Sequence, residues 1–170
     1  MYKINDYVVY KREVCKIIDI TKSKYTDNEV YILAPVDDAT LKIEVPISNG
    51  NIRSIIDRKK LDFVINEIPS IEVIDLPDKQ LEIEYKRLMS TDKVEDLVKI
   101  IKTAYLNTQE RTNKKRRARD KDVIYFNKAE KCLYNEFSIV LDKSIDETRE
   151  YIINCIEAWS TYLCFFHMLI

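Results

Sequence analysis

Leu41-Lys42-Ile43-Glu44-Val45-Pro46, followed by Ile47-Ser48-Asn49-Gly50, is the stretch on which the fold turns. Its strict apolar–polar alternation is the period of a strand with one buried and one wet face. Gly50 is the chain's only glycine, and it marks the point where the pattern changes. Before it, Tyr7-Val8-Val9-Tyr10, Val14 to Ile20 and Val30-Tyr31-Ile32-Leu33 are rich in β-branched and aromatic residues and predict three more short strands. Four antiparallel strands in about fifty residues are too few for two sheets, so the expectation is a small, strongly bent barrel. After Gly50, Leu61, Val64, Ile65 and Ile68 recur at helical spacing, and Pro69 ends that helix.

The breakers divide the chain further. All four prolines, Pro35, Pro46, Pro69 and Pro77, lie in the first 77 residues with Gly50. The remainder is free to be helical almost throughout. Leu81, Tyr85 and Leu88 predict a first helix there. Asp92 with Glu95 suggests a capped start to a second, carrying Leu97, Val98, Ile101, Ala104 and Tyr105. Phe126, Ala129, Leu133, Phe137 and Val140 predict a third, and Ser144 with Glu147 has capping-box spacing for a fourth with Ile152 and Ile156. The expected class is α+β: a β part over 1–75, an all-α part over 76–157 and an apolar tail over 158–170. That tail is too short for a bilayer span of about 20 residues, and packing or self-association is its plainer reading.

Charge supplies the functional signal. The 170 residues hold 28 basic and 29 acidic side chains, a net of −1, but the average conceals a dipole. Residues 111–121 carry Arg111, Lys114, Lys115, Arg116, Arg117, Arg119 and Lys121 against Asp120 alone. Such a segment between two helices is either a solvated connection or a contact for phosphates. No interleaved Asn or Gln pattern suggests base reading, so a DNA contact here would position rather than specify.

Other chemistries have little support. One glycine rules out a glycine-rich phosphate loop. Cys15, Cys132, Cys155 and Cys164 are far apart without a CxxC, and His167 is the only histidine, so no zinc site is expected. A Cys164–His167 nucleophile pair lacks an orienting third group. No signal-peptide core opens the chain, so a cytoplasmic protein with reduced thiols is expected, without cofactor, metal or small-molecule substrate.

The residues also resemble a known family. Asn5 to Tyr10, Val14 to Ile17, Tyr31 to Leu33, Leu41 to Pro46 and Asn51-Ile52-Arg53, in that order, resemble the CarD family of bacterial transcription regulators. That family shares its N-terminal module with the RNA polymerase-interacting domain of the transcription-repair coupling factor. Tyr85 to Asp92 (YKRLMSTD), Gln109-Glu110-Arg111 and Ala129 to Glu136 (AEKCLYNE) are similar to its helical half.

The resemblance implies a Tudor-like barrel that grips the polymerase β subunit and a helical domain that contacts promoter DNA, stabilising the open complex. It places the polymerase contact at Lys22 and at Lys42, Ile43, Glu44, Val45 and Pro46. Together with the charge pattern it makes Lys86, Arg87, Lys114, Lys115, Arg116, Arg117 and Arg119 the DNA-facing candidates. Actinobacterial and related members of that family carry a tryptophan in the first C-terminal helix that wedges into the minor groove, whereas residues 76–92 contain none and Trp159 is the chain's only one. The alternative reading is a protein–protein adaptor without DNA binding, its basic loop merely solvated.

Overall fold

The computed structural model describes residues 1–24, 27–91 and 93–159, and the chain divides into two compact units between Ile55 and Ile56. The first is one antiparallel sheet of five strands: β1 (Tyr7–Tyr10), β2 (Glu13–Lys22), β3 (Glu29–Pro35), β4 (Ile43–Pro46) and β5 (Ile52–Ser54). Their order across the sheet is β4-β3-β2-β1-β5. Val8, Cys15, Ile17, Tyr31, Leu33 and Val45 form its buried face, and the Tyr31 hydroxyl accepts a hydrogen bond from the Tyr2 amide at 3.1 Å. Lys11 and Arg12, both at positive φ, make the two-residue turn between β1 and β2 without a glycine.

The expected closed barrel is not what forms. The register slips between Ile17 and Asp19, where one extra residue bends β2. One bend does not bring the ends together: β4 pairs only with β3 and β5 only with β1, so the sheet stays open. At four and three residues, these outer strands are too short to carry the ladder round. β5 is also the strand the alternation could not reveal, since three residues hold barely one period.

Five helices make the second unit: α1 (Arg58–Glu67), α2 (Asp78–Ser90), α3 (Val94–Asn113), α4 (Asp120–Leu141) and α5 (Ile145–Trp159). Asp57 caps α1 by accepting from the Lys60 amide at 2.7 Å. Ser144 and Glu147 form the expected reciprocal box at the start of α5, with bonds of 2.8 and 3.2 Å. Asp92, the expected cap of α3, lies outside the described residues. All five helices feed one apolar core in which Leu61, Tyr85, Leu97, Ile100 and Phe137 are fully or almost fully buried.

The division at Ile55 corrects the boundary expected at 75–78, and side-chain bonds explain it. The buried Glu136 of α4 accepts from the Ile56 amide at 2.9 Å. Lys102 of α3 donates to the carbonyls of Ile68, Pro69 and Ile71, so its ammonium fastens the end of α1 and the proline-containing connector. Beside it the Thr103 hydroxyl accepts from the Ile74 amide at 2.9 Å. The prolines therefore shape a connector bound to the helices, not a linker. A fragment beginning at Ile56 should melt cooperatively, whereas one beginning at Lys79 loses Leu61, Val64 and Ile65. Each of those is worth about 1.5–3 kcal/mol of burial, so the shorter fragment should show a clearly lower urea midpoint by circular dichroism.

Candidate nucleic-acid interface

The basic segment is a structured turn. The amides of Lys115 and Arg116 donate to the carbonyls of Thr112 and Arg111, each at 2.8 Å, which is the paired bonding of a Schellman closure at the end of α3. In that motif the residue after the cap takes the left-handed conformation, usually as glycine. Here it is Lys115, at φ 54°. A side chain in that conformation costs about 1–2 kcal/mol. Arg111 braces the turn from within, its Nε donating to the Arg117 carbonyl at 2.7 Å.

The seven cations divide by what holds them. Arg119 is largely buried: its Nε donates to Asp122 at 2.6 Å and a terminal nitrogen to Asp78 at 2.5 Å. Burial alone would lower its pKa, but the bonds to Asp122 and Asp78 outweigh that and hold it above its ordinary value. Asp122 is fully buried, and its other oxygen accepts from the buried Tyr85 hydroxyl at 3.0 Å. Burial, then the neighbouring Asp122 carboxylate, pushes that phenol's pKa upward. Lys121 also pairs with Asp78, at 2.9 Å. Arg119, expected to face DNA, thus ties the starts of α2 and α4 together.

Lys114 pairs with Glu110 at 2.5 Å, one turn back on α3. Arg117 meets Asp120 at 3.5 Å with both side chains almost fully exposed, a contact worth little in water. Lys115 and Arg116 are exposed and carry no ion pair among the described residues. Lys86 and Arg87 of α2 are matched locally by Glu82 at 2.8 Å and Glu84 at 2.6 Å. Three adjacent side chains, Lys115, Arg116 and Arg117, remain as a positive tip.

The other candidate surface is the β4 edge. Ile47 donates its amide to the Glu29 carbonyl at 3.1 Å. Antiparallel alternation carries that bonded register to Val45 opposite Tyr31 and Ile43 opposite Leu33, so both their amides face β3. The main chain of Glu44 and Pro46 turns outward, and Pro46 has no N–H to leave unpaired there. Val45 is buried and Glu44 exposed, while Lys42 and Lys22 are exposed just outside β4 and at the end of β2.

What sequence reasoning missed was the acidic half of the network. Arg119 three residues before Asp122 was a legible signal, since that spacing juxtaposes side chains at a helix start. The partnership with Asp78 and Tyr85 was not, because it is tertiary. Among the described residues no group of His, Cys, Asp and Glu is placed to hold a metal ion, and no helix is long and apolar enough to cross a membrane. Cys164 and His167 lie outside the described residues. No protein-family model matches the chain, and no curated protein does.

Two outcomes test this assignment. Arg119→Ala strands the buried Asp122 carboxylate and should cost about 2–4 kcal/mol in urea unfolding, whereas Arg116→Ala should be close to neutral. Asp78 is held below its ordinary pKa of 3.8, chiefly by the hydrogen bond from Lys121. Its contribution is present above that range and is lost as pH falls through the depressed value. The deficit of Asp78→Asn relative to the parent, seen at neutral pH, should therefore close as unfolding is measured at progressively more acid pH.

Proposed function

We propose that the chain is a CarD-like, non-enzymatic transcription regulator that bridges the RNA polymerase β subunit and promoter DNA and modulates open-complex lifetime in the cytoplasm. The observation that carries the reading is the exposed tip Lys115–Arg117, in which Lys115 and Arg116 carry no ion pair among the described residues and Arg117 has only its solvent-exposed contact with Asp120. The open β4 edge supports the other half, because an outward main chain at Glu44 can be extended by a partner strand. The strand order of the family resemblance runs through the same residues, Leu41 to Pro46. A Tudor-like character of the β unit belongs to this proposal, as does the assignment of Lys22 and Lys42 to the polymerase.

Phosphate contacts made by three point charges would hold the duplex without reading it. Placement at the promoter would then come from the polymerase. The absence of tryptophan from residues 76–92 fits a regulator that relies on that placement more than on an apolar wedge.

The test is a β-subunit pull-down combined with open-complex lifetimes. Glu44→Pro removes an outward amide and leaves the β3 ladder intact, so it should weaken β-subunit binding about five- to tenfold, as for one lost hydrogen bond. Ile43→Pro would break the ladder itself and is the poorer probe. The triple variant Lys115→Ala, Arg116→Ala, Arg117→Ala should shorten open-complex lifetime with β-subunit binding unchanged. Full β-subunit affinity in both Glu44→Pro and Glu44→Lys would remove β4 from the interface, and an unchanged lifetime in the triple variant would favour the adaptor reading.

A further inference from the structure

We infer that a small cavity inside the helical unit is a binding site for a short-chain carboxylic acid, whose hydrocarbon end fills the cavity while its carboxylate pairs with Lys102. The site shares no residue with the basic turn or with the β4 edge.

The walls select the hydrocarbon. Ile68 at the end of α1, Val98 and Ile101 of α3, Leu133 and Phe137 of α4 and Ile152 of α5 surround a cavity of about 30 Å³. One water needs about 10–15 Å³ and two to four polar partners. These walls are almost wholly apolar, so there is room for water without the partners that would hold it. Helix cores are otherwise close-packed, and a space of this kind gains more from hydrocarbon than from water. Its size admits a branch of a few carbons and excludes a long chain.

The charges select the head group. Glu130 lines the cavity from α4, and burial pushes its carboxyl above the ordinary range. Its charge is answered by Arg149 of α5, which lies 3.7 Å away, over the Tyr134 ring, and also reaches the exposed Asp146 at 3.6 Å. Lys102 lines the cavity from α3 and has no carboxylate within ion-pair distance among the described residues. Its ammonium donates to the carbonyls of Ile68, Pro69 and Ile71 at 3.2, 3.0 and 2.7 Å, and Ile68 is itself a wall. Those dipoles occupy its protons and leave its charge unmatched, and burial lowers its pKa.

A carboxylate on a short branched stem matches both features. It would replace the longest of the three bonds, that to Ile68, with a charge-assisted one. Glu130 directs it to the α3 side by repulsion. A neutral head group leaves Lys102 unmatched, and an ammonium is repelled by it. Because the same ammonium fastens the end of α1 and the connector, occupation would be felt at residues 68–71.

The test uses probes that share one stem. The intact protein, labelled in its Ile, Leu and Val methyl groups, is titrated with isovalerate, isopentyl alcohol and isopentylamine and followed by NMR. Affinities should lie roughly in the millimolar range, as for any ligand of so few atoms. Isovalerate should bind about three- to fivefold more tightly than the alcohol, as for one partly exposed ion pair, and the amine more weakly than either. Shifts should centre on Val98, Ile101, Leu133 and Ile152. Added salt should weaken isovalerate and leave the alcohol unchanged. Lys102→Met keeps the aliphatic stem and removes the charge, so acid and alcohol should bind it equally. Val98→Ile adds a methylene to the wall and should weaken all three probes; it leaves the bonds of Lys102 in place should Lys102→Met fail to fold. The dipeptide acetyl-Leu-Glu-amide stands for a carboxylate carried by a protein segment. The inference is overturned by shifts that are absent or centred elsewhere, by a parent that does not prefer the acid, by a preference retained in folded Lys102→Met, by unchanged binding in Val98→Ile, or by tighter binding of the dipeptide than of isovalerate.

Discussion

The fully buried carboxylate of Asp122 is the constraint around which the helical unit is arranged. Taking a carboxylate out of water costs several kcal/mol even after relaxation, and only good geometry with fully used oxygens compensates. Asp122 has that geometry, with the Tyr85 hydroxyl on one oxygen and the Arg119 guanidinium on the other. Each partner comes from a different place: Tyr85 from the middle of α2, Arg119 from the residue before α4. The carboxylate can be buried only when α2, the start of α4 and the intervening basic segment are all in place. Asp78 extends the constraint by taking the remaining reach of Arg119 and the ammonium of Lys121.

The charge surplus of residues 111–121 acquires a different meaning from this arrangement. Counted along the chain it is a block of seven cations, and such a block is ordinarily a solvated, mutually repelling loop. In space its rear members neutralise acids brought to them by α2 and α4, and Lys114 is neutralised within α3. The surplus is thus concentrated at the tip. Cations on a mobile loop lose conformational freedom when they meet a polyanion, and that loss subtracts from affinity. The anchored turn has surrendered that freedom during folding.

Much of the fold was legible because its signals are local. The alternation of Leu41 to Val45, the periodicity of Phe126 to Val140 and the Ser144–Glu147 box each depend on neighbours in sequence, and each element is found close to its expected place. The failures share the opposite character. Prolines 69 and 77 read as a boundary because nothing local announces that Lys102 and Thr103, far along the chain, bind the connector between them. Whether a bent sheet closes depends on how its first and last strands meet, which no single strand encodes. Within the candidate site the cations were visible and their availability was not, since availability depends on Asp78, Asp122 and Tyr85 lying within bonding distance.

The same reasoning separates the two candidate surfaces by the kind of specificity each can carry. An outward strand edge offers main-chain groups at fixed spacing, and its selectivity comes from flanking side chains such as Lys42 and Glu44, whose opposite signs must match a partner. A tip of three point charges offers no such match, because phosphates repeat identically along every duplex. If both surfaces act in one protein, discrimination must reside in the β unit, and the helical unit contributes affinity that any sequence can satisfy. Tethering then makes weak contacts sufficient: once one surface is engaged, the other meets its ligand at the effective concentration set by the shared chain, commonly millimolar for short connections. A tip too weak to hold DNA from free solution at physiological salt can therefore be occupied when the protein is already docked, and its strength need not exceed what three exposed cations supply.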